Sequence, residues 1–161
     1  WEAGSFDQSD FFARPDTLIY VTPPLSEGVE VTGPISVTLY ASSSAIDTDF
    51  TAMLVDIHPD GKAMFIQDGA IRARYREGYE RGIPLVPGEV YEFKLDLWST
   101  SNFFLPGHRI GLMISSSNFP AYDRNTNAGG VGGNDNIIVA HQKIFHSDEH
   151  PSRITLPVIP R

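Results

Sequence analysis

Glycine and proline interrupt this chain about every ten residues, and between the interruptions lie short segments rich in Val, Ile, Thr, Tyr and Phe. A chain broken at that spacing folds into extended strands joined by tight turns. Inside a helix each proline costs about 3 kcal/mol and each glycine about 1 kcal/mol. Residues 35–42 alternate strictly, with Ile35, Val37, Leu39 and Ala41 on one face and Ser36, Thr38 and Ser42 on the other. Residues 89–98 alternate as well, with Tyr91, Phe93, Leu95 and Leu97 inward and Glu92, Lys94 and Asp96 outward. Both segments predict antiparallel strands with one buried face. Residues 50–57 are different: Phe50, Ala52 and Leu54 share one parity while Met53, Val55 and Ile57 share the other, the mark of a strand covered on both sides.

Residues 109–115 and 136–146 also mix apolar residues into both faces, and further strands are expected over 18–22, 64–67, 70–75 and 153–157. No stretch combines a 3.6-residue period with helix caps. Turn chemistry is explicit in His58-Pro59-Asp60-Gly61, Val86-Pro87-Gly88-Glu89 and Leu105-Pro106-Gly107-His108. At 161 residues the chain fits one domain of the usual 100–200, and the pattern predicts an all-β sandwich. The exception to short connections is 115–135, polar, glycine-rich toward its end, and long enough to expect a functional role.

Composition narrows the function. Twelve Lys plus Arg against twenty Asp plus Glu leave a net charge of −8, which argues against nucleic-acid or anionic-membrane partners. No apolar run approaches the roughly 18–20 residues of a membrane helix. Without cysteine there are no disulfides, thiolate metal sites or thiol nucleophiles; the compartment stays open, with the cytoplasm slightly favoured. The opening Trp1-Glu2-Ala3-Gly4 has neither an initiator methionine nor a signal-peptide pattern, so a piece of a longer polypeptide is expected.

Catalytic signals are weak. The Gly-x-Ser-x-Gly elbow of serine hydrolases is missing. Ser115, Ser116 and Ser117 sit at a strand end without flanking glycines, and His108, His141 and His146 stand in no triad context. The five histidines (His58, His108, His141, His146 and His150) form no H-E-x-x-H pattern, so neither a metal nor a cofactor is expected. Asp47-Thr48-Asp49 stops short of a calcium loop and reads as acids that cap a turn. Gly129-Gly130-Val131-Gly132-Gly133 lacks the Lys-Ser/Thr of a phosphate loop. Arg72, Arg74 and Arg76 alternate with Ile71, Ala73 and Tyr75, which predicts either an anion or partner stripe or cross-strand pairing with acids.

Several blocks, in order, resemble a known family. Asp47-Thr48-Asp49-Phe50-Thr51-Ala52-Met53-Leu54-Val55-Asp56, His58-Pro59-Asp60-Gly61 and Asp68-Gly69-Ala70-Ile71-Arg72-Ala73-Arg74-Tyr75-Arg76-Glu77 are similar to the C-terminal domain of the X-Pro dipeptidyl-peptidase and cocaine esterase (CocE/NonD) family of serine hydrolases. So are Pro87-Gly88-Glu89-Val90-Tyr91, Leu97-Trp98-Ser99-Thr100-Ser101, Pro106-Gly107-His108-Arg109-Ile110 and Ser115-Ser116-Ser117-Asn118-Phe119-Pro120. The resemblance implies a jelly-roll, galactose-binding-domain-like sandwich that follows an α/β-hydrolase domain and its cap. It also implies that the catalytic Ser, Asp and His belong to that preceding domain, so no catalytic residue is assigned here. Residues 1–16 are then expected to be a linker from a missing α/β-hydrolase domain and 17–161 the C-terminal jelly-roll domain.

On this reading the partner is the α/β-hydrolase domain of the same protein, a dipeptidyl-peptidase or acyl esterase whose active-site mouth the sandwich helps to shape. The expected contact uses Asp47, Asp49, Asn118, Phe119, Tyr122, Asp123 and Arg124, with Phe119 and Tyr122 supplying apolar area and Asp123 and Arg124 orientation. The two-sided 50–57 strand is expected to lie against the neighbouring domain too. Two rival readings are a carbohydrate-binding module, using Trp1, Trp98, Tyr40, Tyr79 or Tyr122, and a homo-oligomerisation module.

Overall fold

The computed structural model describes residues 4–130 and 136–160. Its strands are β1 (Leu18–Val21), β2 (Val29–Ser43), β3 (Asp49–Ile57), β4 (Ala63–Arg72), β5 (Tyr91–Phe104), β6 (Arg109–Ser115), β7 (Gln142–Phe145), β8 (Arg153–Thr155) and β9 (Val158–Ile159). One sheet has the order β1-β6-β3-β4. In the second, β2 pairs with β5 along one edge and with β7, β8 and β9 along the other. The result is the expected all-β sandwich, and its only helical elements among the described residues are 3-10 turns at Ser9–Ala13 and Ala73–Tyr75.

The inward faces read from alternation meet between the sheets. Ile35, Val37, Leu39 and Ala41 of β2 and Phe93, Leu95 and Leu97 of β5 pack against Phe50, Ala52 and Leu54 of β3. The Phe50 and Phe93 rings lie 4.7 Å apart, centroid to centroid. Ser42 departs from the expectation of a solvent-facing residue. It is buried at the stretch where β7 closes on β2.

The outer face of β3 is covered by the chain itself rather than kept for a neighbouring domain. Val55, Ile57, Ala63 and Met113 form a second cluster on which Phe11, Ile19 and Met53 pack. Residues 5–8 hold Phe11 there by adding to the edge of β4. The Ser5 hydroxyl donates to the Phe65 carbonyl at 2.6 Å, the Phe65 N–H to Phe6 O at 2.9 Å and the Gln8 N–H to Ala63 O at 2.7 Å. Asp7 accepts the Ala63 and Ser9 N–H groups, which hold its carboxyl below the usual range. The correction follows from sequence distance, because the cover for 50–57 lies some forty residues upstream.

Several boundaries differ from those expected, among them the start of β2, which lies at Val29 rather than Ile35. The segments at 64–67 and 70–75 are one strand that ends at Arg72 and enters a 3-10 turn. Of 136–146, Gln142–Phe145 forms a strand and His146 only an isolated bridge to Pro151. Strand β5 continues to Phe104 past Trp98, a residue at φ 60° opposite the register shift between Pro34 and Ser36. Where β4 meets β5 the approach is close: a Cβ on Gly69 would stand 2.2 Å from the Asp96 carbonyl oxygen, so this position accepts only glycine.

Candidate functional site

The long polar segment leaves β6 at Ser115 and is tied, residue by residue, to the end of the sheet from which it departs. The Ser115 hydroxyl donates to Ser117 O at 3.1 Å and accepts the Ser117 N–H at 3.3 Å. Asn118 Nδ2 donates to Asp68 Oδ2 at 2.8 Å. Burial holds the Asp68 carboxyl above the usual carboxylate range, with the Asn118 hydrogen bond opposing it. Burial likewise raises the Tyr122 hydroxyl, and the neighbouring Asp68 adds to the effect.

The strongest ties come from Asp47 and Asp49, both buried. Arg72 makes a bidentate pair with Asp49, Nε–Oδ1 2.9 Å and Nη2–Oδ2 3.1 Å. Asp47 accepts the Arg74 N–H at 3.1 Å, and its other oxygen lies 3.2 Å from Arg74 Nε. That second contact is an ion pair whose angle falls short of a hydrogen bond. Into this array Asn125 inserts its amide, donating to Asp47 Oδ2 at 3.0 Å and Asp49 Oδ1 at 2.8 Å. Arg74 reaches on to the carbonyls of Gly129 and Gly130, at 3.0 and 3.2 Å, and Arg72 to that of Asp123 at 3.4 Å. The two aspartates and two arginines therefore form an internal clamp on the loop.

The proposed arginine stripe is corrected by the same contacts. The period-two alternation stops at Arg72, where the backbone turns into the 3-10 segment. Arg76 is also withdrawn from solvent: its side chain is 7% exposed, donates to Ile83 O at 2.6 Å and lies 4.4 Å from the centre of the Tyr91 ring. Of the two readings weighed for these arginines, pairing with acids describes Arg72 and Arg74.

The clamp leaves other residues of the loop facing outward. Phe119 is 58% exposed, with the Arg124 guanidinium 4.9 Å from its ring centre. Asp123 and Arg124 are exposed, whereas Asn118, Tyr122 and Asn125 are half-buried. Beside the loop lies the start of the 136–146 segment, expected to be a strand with apolar residues on both faces. Ile137-Ile138-Val139 pairs with no strand, and Ile137 and Val139 are 75% and 78% exposed. Ile138 is tied to the loop at both backbone groups: its N–H donates to Thr126 O at 2.9 Å, and its carbonyl accepts from Asn127 Nδ2 at 2.8 Å. Such an uncovered apolar run is unusual on a monomer surface. A cleft of about 550 Å³ opens between the loop, the 140–144 segment and Pro15–Leu18, with Ser116, Arg124, Asn125 and His141 in its wall.

Among the described residues no serine hydroxyl is hydrogen-bonded to an imidazole; the histidine rings bond instead to Tyr20 and Asp56. The aromatics considered for sugar binding do not form one platform. Tyr40 meets His150, Tyr79 meets Tyr75, and Trp98 stands 72% exposed on the bulge of β5. Trp1 and the Val131-Gly132-Gly133 part of the glycine run lie outside the described residues.

Residues 2–155 match the family described as the X-Pro dipeptidyl-peptidase C-terminal non-catalytic domain. A cocaine esterase of Rhodococcus sp. (strain MB1 Bresler) is 50% identical over 98% of this chain, which spans 28% of that protein. An aminopeptidase structure from a marine sediment Thaumarchaeota archaeon superposes on 97% of the chain with a TM-score of 0.92 at 32% identity. An α-amino acid ester hydrolase structure covers 96% with a TM-score of 0.91 at 33% identity. This chain spans 28% and 27% of those two proteins.

Proposed function

This chain belongs to the X-Pro dipeptidyl-peptidase C-terminal non-catalytic domain family, and on that premise we propose that it packs on the α/β-hydrolase domain of a larger esterase or peptidase and borders its active-site mouth. The observation that carries the proposal is the uncovered Ile137-Ile138-Val139 run, bonded to a loop that two buried aspartates and their two half-buried arginine partners hold in place. Order in that loop matters because a docking surface fixed before contact loses less entropy on association.

The contact differs from the expected one in that Ile137 and Val139 join Phe119 as its apolar area while Tyr122 turns inward. Phe119, Ile137 and Val139 supply the apolar area, Asp123 and Arg124 provide charged hydrogen bonds at its rim, and Asn118 and Tyr122 support the loop from its half-buried side. Asp47 and Asp49 take part indirectly, as the acids that hold Asn125 and the two arginines. The parent reaction on this reading is acyl transfer to a serine of the preceding domain, as the relatives described as a cocaine esterase and an α-amino acid ester hydrolase suggest.

The experiment is reassociation of the polypeptide expressed as two pieces, the catalytic portion and this domain. Ile137→Asp with Val139→Asp is expected to abolish reassociation while leaving the isolated domain folded, and Phe119→Ala with Arg124→Ala is expected to weaken it. Reassociation of unchanged strength in both double variants refutes the surface. Turnover of a chromogenic ester by the isolated domain, lost on mutating one of its serines, refutes the non-catalytic reading.

A further inference from the structure

At the far end of β3 from the clamp, about 23 Å away at 3.3 Å per residue, the fold brings together three side chains that sequence spacing keeps apart. Asp56 is the penultimate residue of β3, His58 begins the Pro59-Asp60-Gly61 turn, and His108 arrives from the connection between β5 and β6. His108 Nδ1 stands 2.9 Å from Asp56 Oδ1, and His58 Nε2 stands 3.7 Å from Asp56 Oδ2. The two imidazoles are 4.4 Å apart, centroid to centroid, and tilted by 40°. One donor atom from each residue lies within 4.8 Å of the others.

We propose that Asp56, His58 and His108 form a binding site for a divalent first-row transition ion of the zinc class. Ligand atoms bound tetrahedrally at about 2.0–2.2 Å sit roughly 3.4 Å from one another. The two carboxylate–imidazole separations bracket that value and the three donor atoms lie within 4.8 Å of one another, so side-chain adjustment without backbone movement completes the site. Two imidazoles and one carboxylate suit Zn²⁺, Co²⁺ or Ni²⁺ rather than Ca²⁺ or Mg²⁺, which take oxygen ligands. The Asp56 side chain is 10% exposed, and among the described residues its ion-pair partners are these two histidines, with no lysine or arginine. A buried carboxylate placed in this way calls for a cation.

The ligands are held before any ion arrives. Asp56 is paired on both sides, with Ile110 and Met64. The His58 N–H bonds to Lys62 O at 2.8 Å, and the His108 N–H and carbonyl are both engaged, with Leu105 and Leu25. His58, with its side chain 36% exposed, faces the entry path, while His108 at 12% lies behind it. Three protein ligands leave a position for water. The bound ion would join the β3–β4 turn to the connection that crosses between the sheets.

Calorimetric titration of the tag-free chain with ZnCl₂ tests the site, together with the visible spectrum of the Co²⁺ form. Saturable binding of one ion per chain is expected, weakened by roughly 10–100-fold or more in His58→Gln and in His108→Gln, and unchanged in His150→Gln. At a hundredfold excess over Kd, Zn²⁺ should raise the melting temperature by about 5–10 °C, whereas Mg²⁺ and Ca²⁺ should not. His58→Gln alters a partly exposed turn residue and keeps the test open if His108→Gln fails to fold. Absence of saturable Zn²⁺ binding, or equal affinity in His58→Gln, overturns the site.

Discussion

Replacing Asp47 by alanine removes the centre of the clamp. Its side chain is 1% exposed, accepts the Arg74 N–H and the Asn125 amide, and neutralises a guanidinium whose side chain is 11% exposed. Deleting one member of a buried pair leaves the other charged and uncompensated, at a cost of about 3–5 kcal/mol. That is a third or more of the total stability of many domains. Each kcal/mol lowers the melting temperature of a domain this size by roughly 2–4 °C, so a fall of about 6–20 °C is expected. The assay is urea unfolding followed by tryptophan fluorescence, with limited proteolysis of residues 116–130 in parallel. Asp16→Ala is the control, since the Arg14–Asp16 pair is 45% and 59% exposed and such pairs contribute about 1 kcal/mol at most. The loop in Asp47→Ala should be cut under conditions where the parent resists. A double cycle with Arg74→Ala should show coupling of about 1–3 kcal/mol. An Asp47→Ala stability within about 0.5 kcal/mol of the parent, with the loop still resistant, refutes the clamp.

Other substitutions probe separate parts of the fold. Phe50→Ala empties a fully buried site against Phe93 and should cost about 3–5 kcal/mol in chemical unfolding. Gly69→Ala drives a methyl into the Asp96 carbonyl, and a loss of more than about 2 kcal/mol, or failure to fold, is expected from the same assay. Because burial raises the Asp68 carboxyl, its contribution to stability is full below the unfolded value near 4 and is lost as pH rises through the higher folded value. Melting curves of Asp68→Asn between pH 4 and 7 should therefore decline less with pH than those of the parent, and identical slopes would contradict this assignment.

The residues that alternate were legible in the sequence because a period of two directly reports which side chains face the core. Ile35 to Ala41 and Phe93 to Leu97 sit where that rule puts them. The cover on β3 was not legible: Phe11 is brought to the Val55, Ile57, Ala63 and Met113 cluster by hydrogen bonds that residues 5–8 make with the edge of β4, and no local pattern encodes them. The Arg72-Ala73-Arg74 alternation was read as extended because period two and a short 3-10 turn cannot be told apart over a few residues. The buried acids opposite these arginines decided their role. Ile137-Ile138-Val139 had the composition of a strand, yet its backbone bonds go to Thr126 and Asn127. The grouping of Asp56 and His58 with His108 spans 52 residues and depends wholly on how β3 and β6 pair.

Backbone hydrogen–deuterium exchange, recorded for the domain alone and within the full polypeptide that carries it, tests the docking surface most directly. The account predicts slowed exchange on joining the catalytic portion at 116–130 and 136–139, with unchanged rates at the 58–62 turn and around Trp98. Equal exchange at 116–130 and 136–139 in the two forms, or protection centred on the 58–62 turn or Trp98, contradicts it.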